Sequence, residues 1–247
     1  MSTTARVFGI ARSLAMYYGI PLRARRLRLF YSRFVTPGSL CFDVGAHAGN
    51  RVRCWRQLGA RVVAMEPQPD FVRLLGWLFA RDPEVTIVAK AVGRTAGSAE
   101  LLVSERTPTV TTLSQDWVDD VRRDPRFKSV SWARGERVEV VTLQSLIEHF
   151  GEPAFIKIDV EGFEAEALAG LATPVRALSF EYLPATRRIA HACIERVAAL
   201  GPYRFNWSQG ESHRLDADRW LTASEMRGRL DALPALAPSG DIYAERA

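Results

Sequence analysis

Short apolar runs alternate with amphipathic stretches along most of the chain, and that alternation is the first guide to its architecture. Leu40 to Val44, Arg61 to Glu66 and Val85 to Val92 read as strands, with turn or helical sequence between them. Helices are predicted over Arg51 to Leu58 and Pro69 to Arg81. Gly93 to Ser98 reads as a hairpin turn leading into a strand at Ala99 to Val103. A Thr-rich loop (Thr107 to Thr112) and a polar helical stretch ending near Asp124 follow. Val138 to Val141 is a strand, after which Thr142 caps a helix with Leu143, Leu146, Ile147 and Phe150 on one face. Further on come a strand at Ala154 to Asp159, a helix at Gly162 to Leu171 and a strand at Val175 to Glu181. A helix at Ala185 to Leu200 precedes alternating Tyr203, Phe205 and Trp207, and Asp241 to Ala244 reads as a last strand. Strands alternating with helices predict an α/β fold with a mostly parallel sheet covered on both faces. Such sheets bind ligands at the carboxyl ends of their strands.

The N-terminal stretch before Thr36-Pro37-Gly38 differs. It reads as helix broken at Gly19–Pro21, and Arg23 to Arg33 interleaves arginines with Leu27, Leu29 and Phe30. The expected division is an Arg-rich helical extension over residues 1–36 and one catalytic domain over 37–247. The extension is either a solvated face lining a core or a lid or patch that meets an anionic substrate, partner or membrane surface. The net charge of +5 comes from this segment. The first 40 residues hold seven arginines and no carboxylate (+7), so the other 207 sum to −2. The body is therefore not a polyanion-binding surface. No apolar run reaches the roughly 18 residues of a membrane span, and Arg6 and Arg12 interrupt any secretory core. Three cysteines without C-x-x-C spacing indicate neither a disulfide framework nor a zinc knuckle. A cytoplasmic protein is expected.

Chemistry concentrates at two strand ends. The first strand runs into Asp43-Val44-Gly45-Ala46-His47-Ala48-Gly49-Asn50, whose small residues let backbone pass close to a ligand before a helix N-terminus. Asp43 would repel a pyrophosphate but suits a cationic cofactor. Glu66 ends the next strand, where a carboxylate accepts both hydroxyls of a ribose. A positively charged, ribose-bearing cofactor without pyrophosphate is S-adenosylmethionine. The second cluster, Lys157-Ile158-Asp159-Val160-Glu161-Gly162-Phe163-Glu164, puts three carboxylates within six residues at a strand end. Glu161 and Glu164 complement the dipole of the following helix. Asp159 stands at the mouth of the site, where its surroundings would adjust its pKa.

The segments Phe42 to Asn50, Glu66-Pro67, Ala91-Val92-Gly93, Phe155 to Glu164 and Ser179 to Tyr182 resemble the FkbM family of S-adenosylmethionine-dependent methyltransferases. The likeness covers Pro37 to Pro184 and a last strand at Gly240-Asp241-Ile242. His47 stands where many class I methyltransferases have glycine. The resemblance implies a seven-stranded, Rossmann-like class I fold and O-methylation of a hydroxyl on a sugar or natural-product scaffold. It implies cofactor contacts from Asp43, Gly45, Ala46, His47, Gly49, Asn50, Glu66, Ala91, Val92 and Asp159. The candidate bases are Asp159, Glu161 and His47, in that order. Asp159 and Glu181 should end adjacent strands and so could share a divalent cation. No third ligand is identifiable, and a metal-independent reaction is expected. Competing readings are a nucleic-acid methyltransferase using the basic N-terminus, or a non-catalytic cofactor-binding module. A short-chain dehydrogenase is excluded, because residues 86, 124 and 153, four before each lysine, are Thr86, Asp124 and Pro153 rather than tyrosine.

Overall fold

The computed structural model describes residues 9, 11–14, 21–104 and 106–247. Most of the helix expected ahead of Gly19–Pro21 lies outside these residues. Helix α1 (Pro21–Tyr31) leads into β1 (Leu40–Val44), α2 (Asn50–Gln57), β2 (Arg61–Met65), α3 (Pro69–Leu78) and β3 (Val85–Val88). Next come β4 (Ala91–Val92), β5 (Gly97–Val103), α4 (Gln115–Val121) and β6 (Ala133–Val141). The rest comprises α5 (Leu143–Phe150), β7 (Phe155–Ile158), α6 (Glu164–Ala169), β8 (Ala177–Tyr182), α7 (Arg187–Leu200), β9 (Tyr203–Gln209), α8 (Ala223–Ala232) and β10 (Gly240–Arg246).

Seven strands form one sheet in the order β3-β2-β1-β7-β8-β10-β9. Pairing is parallel except for β10, which runs antiparallel to both β8 and β9. This is the mostly parallel, helix-covered sheet expected, in Rossmann-like order. Winding reverses between β1 and β7, so a crevice opens at their carboxyl ends. Thr142 caps α5 as expected, its hydroxyl accepting from the Ser145 amide at 3.0 Å.

One local expectation is corrected. Residues 85–92 are not a single strand: β3 stays in the main sheet, while β4 joins a second sheet of order β4-β6-β5. Nor is Gly93 to Ser98 the turn of a hairpin. β4 runs parallel to β6 and β5 antiparallel to it, so both pair with β6 and not with each other. The pairing partner lies some forty residues downstream, beyond the reach of a local pattern.

Strand periodicity sorts chemistry from packing. Phe42, Val44, Ile156, Ile158, Leu178, Phe180 and Ile242 fill the core on one face of the main sheet, with α5, α6 and α7. On the other face register places Asp43, Lys157, Ser179 and Tyr243 side by side across four strands, with Asp241 two residues along from Tyr243 on β10 and opposite Glu181. This second face is closed by α1 and α2 through Leu27, Phe30, Tyr31, Phe34 and Trp55. Phe30 lies edge-on to Tyr31 (5.4 Å) and Tyr243 (5.0 Å), and Phe34 stacks on Tyr243 at 5.8 Å. The apolar side of α1 is thus core, while Arg25, Arg26 and Arg33 face solvent. No helix among the described residues is long and apolar enough to cross a membrane.

Phe30→Ala should therefore lower unfolding free energy by about 3–5 kcal/mol, the range for truncating a buried aromatic. Leu29→Ala, at a residue 64% exposed, should stay within about 0.5 kcal/mol of the parent. Urea unfolding of the two variants makes the comparison. Equal, small losses would show that α1 is not part of the core.

Candidate active site

A cleft of about 950 Å³, counting its open mouth, lies at the carboxyl ends of β1, β2 and β7. Gly45, Ala46, His47, Asn50, Glu66, Ala91, Val92, Asp159 and Glu161 all line it. Asp43 and Gly49 do not. Asp43 points into the sheet face beneath the cleft and is 1% exposed. Gly49, at φ +75°, ends the turn just ahead of α2. Residues that the sequence did not single out complete the wall: Arg51 from α2, Lys90, Phe163, and Glu211 from the loop after β9.

The turn after β1 fits only without a side chain at residue 45. Gly45 has φ +83°, and a Cβ there would stand 2.0 Å from the Asp159 carbonyl oxygen. The two ligand-facing loops therefore touch, backbone to backbone. The loop after β7 is as tightly drawn. Glu161 adopts φ +52°, and a Cβ on Gly162 would stand 2.1 Å from the Trp117 ring. Glu164, buried at the start of α6, accepts from the amides of Val160 (3.0 Å) and Gly162 (3.1 Å). It holds the loop, and burial raises its pKa to about 7.

Glu66 is 2% exposed. Its two oxygens accept from the amides of His47 and Gln68, each at 2.8 Å. Each oxygen keeps a lone pair for a donor in the cleft, and burial lifts the carboxyl to about 7 against those two amides. His47 lies over Phe71, ring centroids 3.9 Å apart. Burial drives its pKa down to about 4, so the imidazole is neutral and weakly basic.

Two cations sit among the carboxylates. Lys157, wholly buried in β7, contacts Asp241 at 2.5 Å and Asp159 at 3.3 Å. Arg51 lies 3.4 Å from Asp159 and 4.0 Å from Asp241. The Tyr243 hydroxyl donates to Asp241 at 3.1 Å. Burial alone would raise the Asp159 pKa, but Lys157 and Arg51 outweigh it and hold the carboxyl below its ordinary value. Asp43, farther from them, is pushed up by burial to about 6. Glu161 and Glu181 are pushed well above the usual carboxylate range, first by burial and then by neighbouring carboxylates. Oxygens of Asp159, Glu161 and Glu181 come within 4.8 Å of one another, a trio that could hold a divalent cation. Glu161 stands where a third ligand would, a placement the sequence reading did not find.

These shifts set a pH dependence. Glu66 and Glu164 hold protons in the fold up to about pH 7, where unfolded glutamate, near pH 4.3, has already lost them. Raised carboxylate values give stability that is present at low pH and lost as pH rises through the folded value. His47 opposes this, since its folded value is depressed, but it is one group against two. The melting temperature should rise between pH 8 and pH 6, and Glu66→Gln should flatten that rise. A melting temperature that falls over this interval would contradict the assignment.

The FkbM methyltransferase domain model matches residues 43–190. No curated protein matches the sequence. Among solved structures, a Bacillus cereus O-methyltransferase in complex with SAH aligns at 12% identity and TM-score 0.50, covering 100% of this chain and 92% of that one. A Geobacter metallireducens precorrin-6y C5,15-methyltransferase aligns at 11% and 0.46, covering 90% and 86%. A Streptococcus thermophilus rRNA methylase aligns at 10% and 0.44, covering 89% and 93%. At 12% identity the Bacillus cereus likeness speaks to the fold alone. The family match is of another kind, because it takes in both the glycine turn after β1 and the acidic loop after β7. This chain belongs to the FkbM methyltransferase family.

Proposed function

We propose that this protein is an S-adenosylmethionine-dependent O-methyltransferase whose acceptor is a hydroxyl on a small molecule such as a sugar or natural-product scaffold. The observation that carries the reading is the division of the cleft. At one end Glu66, held by two amides, offers free lone pairs to a diol, beside apolar Ala91, Val92 and Leu101, which suit a flat base. At the other end stand carboxylates of unequal proton affinity. The volume is that of a cofactor pocket with room for a small acceptor. Gly45, Ala46, His47 and Asn50 would pass along the cofactor between these ends.

When bound, S-adenosylmethionine supplies a methyl group on a positively charged sulfur. The chain's part is to align an acceptor oxygen with it, to exclude water and to take the hydroxyl proton. Asp159, the first base candidate from sequence, is ion-paired with both cations and is a weak base. Glu161, its proton affinity raised by burial and by Glu181 and Asp159 against a weaker pull from Lys157, is the stronger base once its own proton is lost. His47, neutral and packed on Phe71, shapes the wall. The reaction is independent of a divalent cation, and the exposed arginines of residues 1–36 are a contact for acceptor or partner. Three free, buried thiols suit the reducing cytoplasm.

Incubation with S-adenosylmethionine and a panel of glycosides and polyketide alcohols, read by mass spectrometry, should give products heavier by one methylene. Transfer only to RNA would overturn the acceptor class. Glu66→Ala should weaken S-adenosylhomocysteine binding by roughly 1–3 kcal/mol in calorimetry. Glu161→Gln should slow single-turnover transfer by about 10²–10⁴ and leave that affinity unchanged. Loss of activity in EDTA with recovery in Mg²⁺ would instead make Asp159, Glu161 and Glu181 metal ligands.

A further inference from the structure

Asp241 lies outside the residues matched by the family model, on the antiparallel strand β10. Topology inserts that strand between β8 and β9, which places Asp241 opposite Glu181 and within 2.5 Å of Lys157. Lys157 is wholly buried and meets two carboxylates, Asp241 and Asp159. Arg51 meets the same two from α2. The four charges sum to zero, and of the two acids only Asp159 lines the cleft.

We propose that Asp241 is a positioning residue: by occupying Lys157 and sharing Arg51, it leaves Asp159 as a fixed negative charge at the cleft, facing the sulfonium of S-adenosylmethionine. Without Asp241 both cations fall to Asp159 alone, and the cluster presents a net positive charge to a positive ligand. Tyr243 fixes the orientation, since its hydroxyl donates to the Asp241 oxygen turned away from Lys157. The inference rests on the cofactor reading given above.

S-Adenosylmethionine and S-adenosylhomocysteine share the nucleoside and amino-acid parts and differ in the charge on sulfur. They differ also by the transferred methyl itself, which is the same for every variant, so the change in their affinity ratio on substitution reports this charge. Calorimetry on the full chain should show Asp241→Asn weakening S-adenosylmethionine at least about tenfold relative to S-adenosylhomocysteine, the factor for a unit charge roughly 12 Å away in an effective dielectric near 20. Arg51→Met removes a cation from the same cluster and should move the ratio the opposite way, toward S-adenosylmethionine. A merely structural role would weaken both ligands together in either variant. A folded Asp241→Asn protein with an unchanged ratio overturns the proposal. If Asp241→Asn does not fold, Arg51→Met decides, and a ratio that stays put or falls overturns it. If neither ligand binds the parent protein, the cofactor reading fails and this proposal falls with it. That outcome is distinct from binding with an unaltered ratio.

Discussion

A lysine buried at the centre of a parallel sheet is the constraint on which the site depends. Desolvating an ammonium costs several kcal/mol even after relaxation, so Lys157 at zero exposure demands anionic partners. They arrive from two directions: Asp159 from the end of its own strand and Asp241 from β10. Arg51 from α2 completes the set. Removing one partner would leave a buried charge uncompensated. The cluster therefore ties β7, β10 and the helix after the glycine turn into one mutual arrangement at the floor of the cleft.

Around that floor, similar carboxyl groups acquire different tasks from their surroundings alone. Asp159 touches cations and stays ionised. Glu161 and Glu181 face other carboxylates and hold protons more tightly. Glu66 and Glu164 accept from backbone amides and shape the two ligand-facing loops, and Glu66 keeps a lone pair on each oxygen for the cleft. Asp43 remains beneath the cleft, in reach of the cluster's field. An anchored anion beside a protonatable pair is what the O-methyl transfer proposed above calls for.

The Arg-rich helix α1 belongs to the same construction. Its aromatic side packs over Phe155 and Tyr243, and Phe30 lies 6.3 Å from His213, itself 3.2 Å from Glu211 at the cleft wall. The helix thus roofs the charged face of the sheet and abuts the loop that completes the cleft, while Arg25 and Arg26 remain in solvent.

Local pattern sufficed for the strands of the main sheet and for most of its helices, α8 (Ala223–Ala232) being missed, because strand ends, the Thr142 cap and the 3.6-residue stripes are written within a few residues of one another. It sufficed also for the cleft's location, since the glycine turn after β1 and the acidic loop after β7 each carry their own signature. The second sheet escaped it, because β4 and β5 are joined only through β6, forty residues on. The proton affinities escaped it too. Nothing adjacent to Asp159 in the chain reveals that Arg51 will neutralise it, nor does anything beside Lys157 announce Asp241, 84 residues away. Sequence marked the glycine turn, Glu66 and the acidic loop that line much of the crevice. Tertiary structure alone decided which carboxylate is held as an anion and which keeps a proton, because that depends on charges from distant segments brought together out of water.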